Sequence, residues 1–189
     1  MPMNHVHRKL CSSEKWASQV ASVLPEALNG QELGESVLEI GPGFGATTRV
    51  LVDLVPKLTA VEIDEASTAL LHKEFGDRAT IRQGDGAALP FEDGTFSSVV
   101  CFTMLHHVPT VARQDAIFAE AHRVLRPGGL FFATDSQLSF RFRLLHIGDT
   151  MNVLDASTLP GRLATAGFTG VEVDHEPKRR VKFSATKPG

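Results

Sequence analysis

Cysteine, excess charge and long apolar runs are all scarce in this sequence. Cys11 and Cys101 are its two cysteines, and they lack the spacing of metal ligands, which favours free thiols in a reducing compartment over a disulfide framework. No stretch approaches the roughly 18 apolar residues of a membrane span. The first residues lack the apolar core of a secretory signal. We therefore expect a cytoplasmic protein without a membrane span.

The charge balance gives no reason to expect a nucleic-acid partner. The 189 residues carry a formal net charge of −3, so no general basic field attracts a polyanion. The segment Lys178 to Lys187 is locally basic, but such a segment is more often a solvated edge strand than a binding patch. A chain of this length suffices for one well-cored domain. We expect a single domain over residues 1–189.

Strand and helix patterns alternate along most of the chain. After an irregular opening through Leu10, a helix is expected from Ser12 or Ser13 to about Leu28. This alternation predicts an α/β fold, a doubly wound and mainly parallel sheet with helices on both faces. Ligands bind such sheets beyond the carboxyl ends of the strands, where the strand order reverses. Strands are predicted at 36–40, 58–63, 79–83, 96–102, 130–134, 169–174 and 180–185. One helix is predicted to follow the glycine-rich loop at 41–45 and to end at about residue 54, and the later helices are predicted at 65–75, 111–125 and 156–166.

A glycine-rich turn follows the first strand. Gly41, Gly43 and Gly45 form a G-x-G-x-G pattern that also fits the G-x-G-x-x-A of a dinucleotide-binding fold. Glu39 precedes this turn by two residues. A pyrophosphate there would face its carboxylate, and like charges about 4 Å apart cost on the order of 1–4 kcal/mol. S-adenosylmethionine (SAM) instead carries a sulfonium and an ammonium group, so Glu39 favours SAM over a dinucleotide.

Glu62-Ile63-Asp64 ends the second predicted strand, about twenty residues after the turn. An acidic residue at this place can accept hydrogen bonds from both ribose hydroxyls, and Glu62 is our first choice for that role. Asp64 is alternatively the N-cap of the next helix. The feature suits NAD and SAM equally, and therefore indicates a nucleoside without naming it.

Three later motifs make the pattern more specific. The chain reads Gly84-Asp85-Gly86-Ala87-Ala88-Leu89-Pro90-Phe91, then Leu105-His106-His107-Val108, then Arg123-Val124-Leu125-Arg126-Pro127-Gly128-Gly129. In this order after the glycine turn, from about Val37 to Ala133, the sequence resembles the class I SAM-dependent methyltransferases of the small-molecule (type 11) group. The resemblance implies a Rossmann-like, seven-stranded sheet with its final strand antiparallel. It also implies methyl transfer from SAM to a small molecule, with S-adenosylhomocysteine as product.

The resemblance also implies roles for individual residues. Glu62 would hold the ribose and Ile63 would pack on the adenine, with Asp64 beside them. Asp85 would accept a hydrogen bond from the adenine amino group. The family usually has alanine where this chain has Gly86, and we expect the backbone contact to survive that change. The residues expected around the methionine end are Glu39, Gly41, Pro42, Gly43, Phe102 and Thr103, and those beside Asp85 are Gly86 and Ala87.

Catalytic residues are harder to assign, because methyl transfer from a sulfonium has no obligatory protein group. Orientation of the nucleophile can contribute roughly 7–11 kcal/mol, and a base is needed only where the nucleophile must lose a proton. His106 and His107 follow the fourth strand and are the best candidates for a base or an orienting group. The alternative is that one of them is a hydrogen-bonded structural side chain. Two adjacent histidines without a nearby acidic partner predict no metal site.

Two segments are candidates for the walls of the substrate site. Residues 136–155 form an insertion after the fifth strand, which we interpret as a lid, with Arg141, Arg143 and His146 directed at an anionic or polar acceptor. A surface helix with solvated arginines is the alternative. Residues 1–30, with Trp16, are expected to form an N-terminal helical cap.

Other functions stay open at this point. An NAD(P)-binding oxidoreductase is disfavoured by Glu39 and by the lack of length for a substrate domain. A non-catalytic SAM-binding protein would have the same sequence features. A nucleic-acid methyltransferase is disfavoured by the acidic charge balance and by Phe102-Thr103-Met104-Leu105, which stands where an Asn/Asp-Pro-Pro-aromatic motif would be expected. A homodimer is left open.

Overall fold

The centre of the fold is a seven-stranded sheet, seen in a computed structural model that describes residues 4–189. Its order is β3-β2-β1-β4-β5-β7-β6. Neighbours from β3 to β5 pair in parallel, and β7 runs antiparallel to both β5 and β6. The predicted fold class is therefore confirmed. The strands are β1 Ser36–Ile40, β2 Lys57–Glu62, β3 Thr80–Gln83, β4 Phe96–Phe102, β5 Leu125–Ser136, β6 Thr169–Glu176 and β7 Arg180–Thr186.

Seven α-helices accompany the sheet within residues 4–189. Several begin at a side chain that accepts a hydrogen bond from the first turn: Ser13 from the N–H of Trp16, and Asp64 from the N–H of Ser67. None of the helices described is long and apolar enough to cross a bilayer. The helices are α1 His5–Cys11, α2 Glu14–Ala27, α3 Thr48–Leu54, α4 Glu65–Phe75, α5 Val111–Val124, α6 Phe140–Leu145 and α7 Leu159–Thr165, and a 3-10 turn covers Leu105–His107.

Helices cover both faces of the sheet, as β4 demonstrates. Side chains alternate between the two faces of a strand. Val99 and Cys101 belong to a core that includes residues of α5 and α7, whereas Val100 and Phe102 belong to a core that includes residues of α2 and α3. All four side chains are buried, which explains the unbroken apolar run in this strand.

The order of the strands reverses around β1. The chain passes from β1 to β2 and β3 on one side, then crosses back to place β4 on the other side of β1. Between β1 and β4 the loops that leave the two strands diverge to opposite faces, which opens a crevice at their carboxyl ends. The glycine turn after Ile40 and the segment after Phe102 flank this crevice.

Two expectations about local structure are wrong. The part of the opening from His5 to Leu10 is not irregular, because α1 occupies His5–Cys11, and residues 1–3 of that prediction lie outside the described residues. The fifth strand begins at Leu125 rather than at residue 130, since Leu125 pairs with Phe96. The predicted turn at 126–129 therefore lies within β5 as an irregularity and does not precede the strand. Its Gly128 donates its N–H to the carbonyl of Lys187.

The N-terminal cap and the predicted lid are joined by hydrogen bonds. The Asn4 amide donates to the carbonyls of Leu145 at 2.7 Å and Ile147 at 3.1 Å. The backbone N–H of Asn4 donates to Asp149 at 2.5 Å, and the Nδ1 of His7 lies 2.8 Å from the same carboxylate. These contacts hold α1 against the segment that follows α6, and we call them the latch.

Candidate functional site

A cavity of about 770 Å³ lies at the carboxyl ends of β1, β2 and β4. Small-molecule sites usually have volumes of about 300–1,000 Å³. Residues that follow the strand ends line it, together with residues of α1, α2, α5 and α6. The predicted site residues that line it are Gly41, Pro42, Gly43, Glu62, Ile63, Asp64, Asp85, Gly86, Phe102, Thr103, His106, His107, Arg141 and His146. Glu39, Ala87 and Arg143 do not line it.

The glycine turn has left-handed backbone angles that only glycine adopts at low cost. Gly41, Gly43 and Gly45 have φ values of +70°, +57° and +76°. A Cβ on Gly45 would stand 2.8 Å from Phe75 and 2.9 Å from Leu71, whereas a Cβ on Gly43 would meet nothing within 4 Å. Gly45 therefore allows the turn to pack on α4, and Gly43 leaves space on the cavity side.

Glu62 connects the end of β2 to the glycine turn. Its Oε2 accepts from the N–H of Gly43 and its Oε1 accepts from the N–H of Asp64, both at 2.9 Å. The side chain is buried apart from its cavity side, with 7% of the residue exposed. Asp64 caps α4 through its bond with Ser67, which supports the alternative role that the sequence left open for it.

Glu39 does not stand at the mouth of the turn, and this corrects the sequence interpretation. Its carboxylate is buried behind the turn and accepts hydrogen bonds from the hydroxyls of Thr47 and Thr48, the latter at 2.7 Å. Burial raises the pKa of Glu39 to about 7, against the lowering effect of the two hydroxyls. The carboxylate of Glu62 raises it further. Glu39 therefore supports the turn from the interior and does not line the cavity.

The raised pKa of Glu39 predicts a pH-dependent stability. Between about pH 4.5 and pH 7 the folded protein keeps this proton while the unfolded chain loses it, so the free energy of unfolding falls as the pH rises. Glu39→Gln should flatten this slope, because glutamine cannot ionise. Urea unfolding at several pH values in that window measures it, with the exposed Glu32→Gln as the control. An unchanged slope in Glu39→Gln would contradict the assignment.

The wall beyond β3 offers an acceptor and an apolar surface. Asp85 accepts from the N–H of Ala87 at 2.9 Å and pairs with Arg113. Burial acts to raise the pKa of Asp85, but these two donors outweigh it and hold the pKa below its ordinary value. Ile63 is 44% exposed at the cavity. An ionised carboxylate and an exposed apolar side chain suit a flat heterocycle with an amino group.

Gly86 is closely packed where the resembling family has alanine. A Cβ at this position would lie 2.7 Å from Cγ2 of Ile40, a buried side chain of β1. Real Cβ contacts do not approach this closely, so alanine would require a shift of the strand or the loop. The departure from the family pattern therefore has a packing reason, which the sequence alone did not indicate.

The end of β4 leads into a strained residue. Phe102 is nearly buried, and Thr103 has a φ of +50°, in the left-handed region that threonine seldom adopts. The N–H of Thr103 donates to the carbonyl of Thr134 at 2.8 Å, which holds it in place. Backbone strain of this kind concentrates at functional sites. Both residues line the cavity, as the resemblance implies.

His106 is fixed by a carboxylate that the sequence analysis did not identify. Asp135, near the end of β5, accepts from both the backbone N–H and the Nδ1 of His106. Both residues are about 2% exposed. Asp135 comes directly after the predicted fifth strand, at its carboxyl end. This position could have indicated from the sequence that Asp135 belongs to the site.

Four histidines meet at one side of the cavity. His7 and His146 join His106 and His107, with ring centroids 4.1 to 5.4 Å apart among the contacting pairs. His7 was missed because it precedes every recognised motif. The expectation that these histidines lack an acidic partner is wrong, because Asp135 contacts His106 and Asp149 contacts His7. We call His7, His106, His107 and His146 the histidine cluster.

The lid contributes one of its two predicted arginines to the cavity. Arg141 lines the wall, whereas Arg143 on the same short helix does not. Phe142 packs edge-on against His106, with ring centroids 5.0 Å apart. The lid therefore presents a mixture of apolar and basic groups to the acceptor side.

Comparison with known proteins identifies related sequences. A family model described as a methyltransferase domain matches residues 38–133, about half of the chain. A probable S-adenosylmethionine-dependent methyltransferase of Mycolicibacterium smegmatis is 34% identical over 139 residues, which are 71% of this chain and 52% of that protein. A ubiquinone biosynthesis O-methyltransferase of Azotobacter vinelandii is 33% identical over 120 residues, 61% of this chain and 50% of that protein. The chain spans about half the length of these curated relatives.

Solved structures share the fold. A protein of Pyrococcus horikoshii superposes with a TM-score of 0.77 at 19% identity, covering 94% of this chain and 93% of that one. At this level of identity the likeness concerns the fold alone. It agrees with the strand order and the antiparallel seventh strand described above.

Proposed function

Because the chain belongs to the family of methyltransferase domains, we propose that it transfers a methyl group from SAM to a small-molecule acceptor and releases S-adenosylhomocysteine. The observation that carries this proposal is the carboxylate of Glu62, held at the end of β2 by the N–H of Gly43 in the wall of the cavity. An acid there can accept the ribose hydroxyls of the donor.

The same contact argues against a dinucleotide cofactor. Pyrophosphate binds at such turns through backbone N–H groups at the start of the following helix. Here the N–H of Gly43 already donates to Glu62 at 2.9 Å, so a pyrophosphate would meet a carboxylate. SAM has no phosphate and carries positive charge. In the folded protein, the carboxylate that would repel a pyrophosphate is therefore that of Glu62, whereas the sequence analysis assigned this effect to Glu39.

The remaining donor contacts follow from the arrangement of the walls. We propose that Asp85 accepts from the adenine amino group while Ile63 packs on the ring. Phe102 and Thr103 would border the methionine part, near Gly41 and Pro42. In this proposed orientation the sulfonium methyl would point toward the histidine cluster, and the acceptor would occupy the part of the cavity that the cluster and Arg141 line.

Catalysis in this arrangement depends chiefly on orientation. The displacement removes charge from sulfur, so the protein must hold the nucleophile in line and exclude water. His106, fixed by Asp135, is the proposed base for an acceptor that loses a proton, and His107 lies beside it. Burial, followed by the neighbouring imidazoles, lowers the pKa of His107 to about 2, which keeps this ring neutral.

The acceptor is proposed to be a small molecule with a hydroxyl, amino or thiol group. The buried and half-buried rings of His106 and Phe142 and the guanidinium of Arg141 suit a compact, partly apolar compound with a polar or anionic group. The Azotobacter relative, a ubiquinone biosynthesis O-methyltransferase, supports methylation at an oxygen atom. Radiolabelled SAM should therefore label a phenol, amine or thiol in a panel, and labelling of RNA alone would contradict the proposal.

Removal of the Glu62 side chain should weaken SAM binding. Glu62→Ala loses both ribose contacts and the brace on Gly43, and we expect a loss of about 2 kcal/mol, or roughly 30-fold in Kd. Calorimetric titration measures this for SAM, S-adenosylhomocysteine and NAD. Glu62→Gln, which keeps the size and one acceptor, should lose less. Unchanged affinity in Glu62→Ala, or tight binding of NAD to the parent protein, would overturn the donor assignment.

The cellular setting remains a proposal as well. Cys11 and Cys101 are both free, and Cys101 is fully buried, which is in line with a reducing, cytoplasmic location. The homodimer remains a prediction that analytical ultracentrifugation can test. A SAM-binding protein without activity is separated from the enzyme by the acceptor panel, since both would bind the donor.

A further inference from the structure

The histidine cluster is assembled from distant parts of the chain. His7 lies on α1, His107 in the 3-10 turn after β4, and His146 directly after α6. Each of the three is buried and lines the cavity. One ring nitrogen from each lies within 4.8 Å of the other two. Packing alone gives no reason to direct three polar rings from three elements at a single point.

Hydrogen bonds on the outer side of two rings leave the inner nitrogens available. The Nδ1 of His7 is held by Asp149 at 2.8 Å, and the Nδ1 of His146 by the carbonyl of Phe142 at 2.8 Å. These partners fix a proton on Nδ1 and a lone pair on Nε2. A carboxylate or carbonyl behind a histidine is the usual arrangement around metal-binding imidazoles.

The inner nitrogens of His107 and His146 differ in their partners within the protein. Among residues 4–189 no side chain or backbone group forms a hydrogen bond with the ring of His107, which is 7% exposed. The Nε2 of His146 lies 3.2 Å from the Nε2 of His106, whose Nδ1 is taken by Asp135. A proton shared between these two nitrogens forms an N–H···N hydrogen bond, whereas two unprotonated nitrogens would leave the Nε2 lone pair of His146 open to a cation.

We infer that His7, His107 and His146 bind a divalent transition-metal ion, with Zn²⁺ as the best match. Neutral imidazoles suit zinc, and three of them with one open position form the ligand set of catalytic zinc sites. Ligand nitrogens of a tetrahedral zinc site lie roughly 3.3 Å apart. Nitrogens within 4.8 Å reach that spacing by a small inward movement of the rings.

The ion would border the acceptor side of the cavity. Its open position would then be available to an oxygen, nitrogen or sulfur atom of the acceptor, which a metal ion makes more acidic. This last step rests on the proposed function, whereas metal binding itself does not. The two are therefore tested separately.

Metal binding is measured on the full chain without an affinity tag, after treatment with a chelator. Titration with Co²⁺ should produce one equivalent of a species with the strong visible absorption of low-coordinate cobalt, and Zn²⁺ should displace it. Zn²⁺ should also raise the Tm, because it binds only the folded chain. The inference would be overturned if the parent protein bound neither Co²⁺ nor Zn²⁺ stoichiometrically.

Variants locate the ion. His107→Ala and His146→Ala should each lower the affinity for Zn²⁺ by about 100-fold or more, and Asp149→Asn by about 10–100-fold through its effect on His7. His5→Ala, an exposed histidine on the same helix as His7, is the matched control and should bind as the parent does. Retention of full affinity in the double variant of His107 and His146 would contradict the site.

SAM affinity separates loss of the metal from loss of the fold. Each variant should retain its SAM affinity, since the donor contacts lie on other walls. Asp149→Asn keeps every histidine, so it tests the site even where an alanine variant fails to fold. Metal binding without SAM binding would support this inference and refute the proposed function. SAM binding without metal binding would refute this inference and leave the proposed function standing.

Discussion

Replacement of His106 by glutamine is expected to lower the turnover number by about 10²–10⁴-fold while SAM affinity stays near that of the parent protein. Asp135 holds the Nδ1 of His106, so the ring has one orientation, and its Nε2 lies 3.2 Å from the Nε2 of His146 at the wall of the cavity. Glutamine can keep a hydrogen bond to Asp135 but cannot take a proton from the acceptor. Formation of S-adenosylhomocysteine under single-turnover conditions measures the effect with the acceptor that the panel identifies.

Two further variants define what His106 does. Asp135→Asn leaves the ring in place but removes the carboxylate that orients it, and should lower turnover in the same direction. His122→Gln changes a histidine of α5 that does not line the cavity, and should leave the rate unchanged. Equal rates in the parent protein and in His106→Gln would show that this residue is structural.

Gly45→Ala should lower the free energy of unfolding by about 2–5 kcal/mol. A left-handed backbone costs a residue with a Cβ roughly 1–2 kcal/mol, and overpacking of a core adds roughly 1–3 kcal/mol. Both apply here, because φ is +76° and the new methyl would stand 2.8 Å from the ring of Phe75. Urea unfolding followed by circular dichroism measures the change.

Gly43→Ala is the matched control for this prediction. Its φ is +57°, but a Cβ there meets nothing within 4 Å, so only the backbone cost of roughly 1–2 kcal/mol is expected. Its methyl group would instead extend into space beside the cavity, and SAM affinity should fall more than in Gly45→Ala. Equal destabilisation by the two variants would contradict the role of Gly45 in packing the turn on α4.

The framework of the fold was predictable because it depends on local patterns. The bounds of β4, Phe96–Phe102, and of α4, Glu65–Phe75, agree with the sequence prediction. A strand buried on both faces leaves an unbroken apolar run, and Asp64 marks the start of a helix by its capping geometry. The order of these elements then placed the loops of the donor wall around one crevice.

The acceptor side was not predictable, because its contacts span the chain. His7 and Asp149 are separated by 142 positions, and no local pattern links them. The α1 helix has seven residues, so its stability comes from the contacts it makes rather than from its own sequence. The position of Glu39 was predicted incorrectly for a different reason. The prediction used its distance from the turn along the chain and did not consider that Glu39 lies on a buried strand.

The latch joins two elements that border the cavity, and this affects access to it. His7 and Arg8 of α1 form part of the cavity wall, and Asn4 ties that helix to the carbonyls after α6. Under the proposed function, a donor that enters by this side would have to break these hydrogen bonds. The same opening carries His7 away from His107 and His146. The hydrogen bonds of Asn4 and His7 would therefore affect both access to the cavity and the assembly of the three imidazoles.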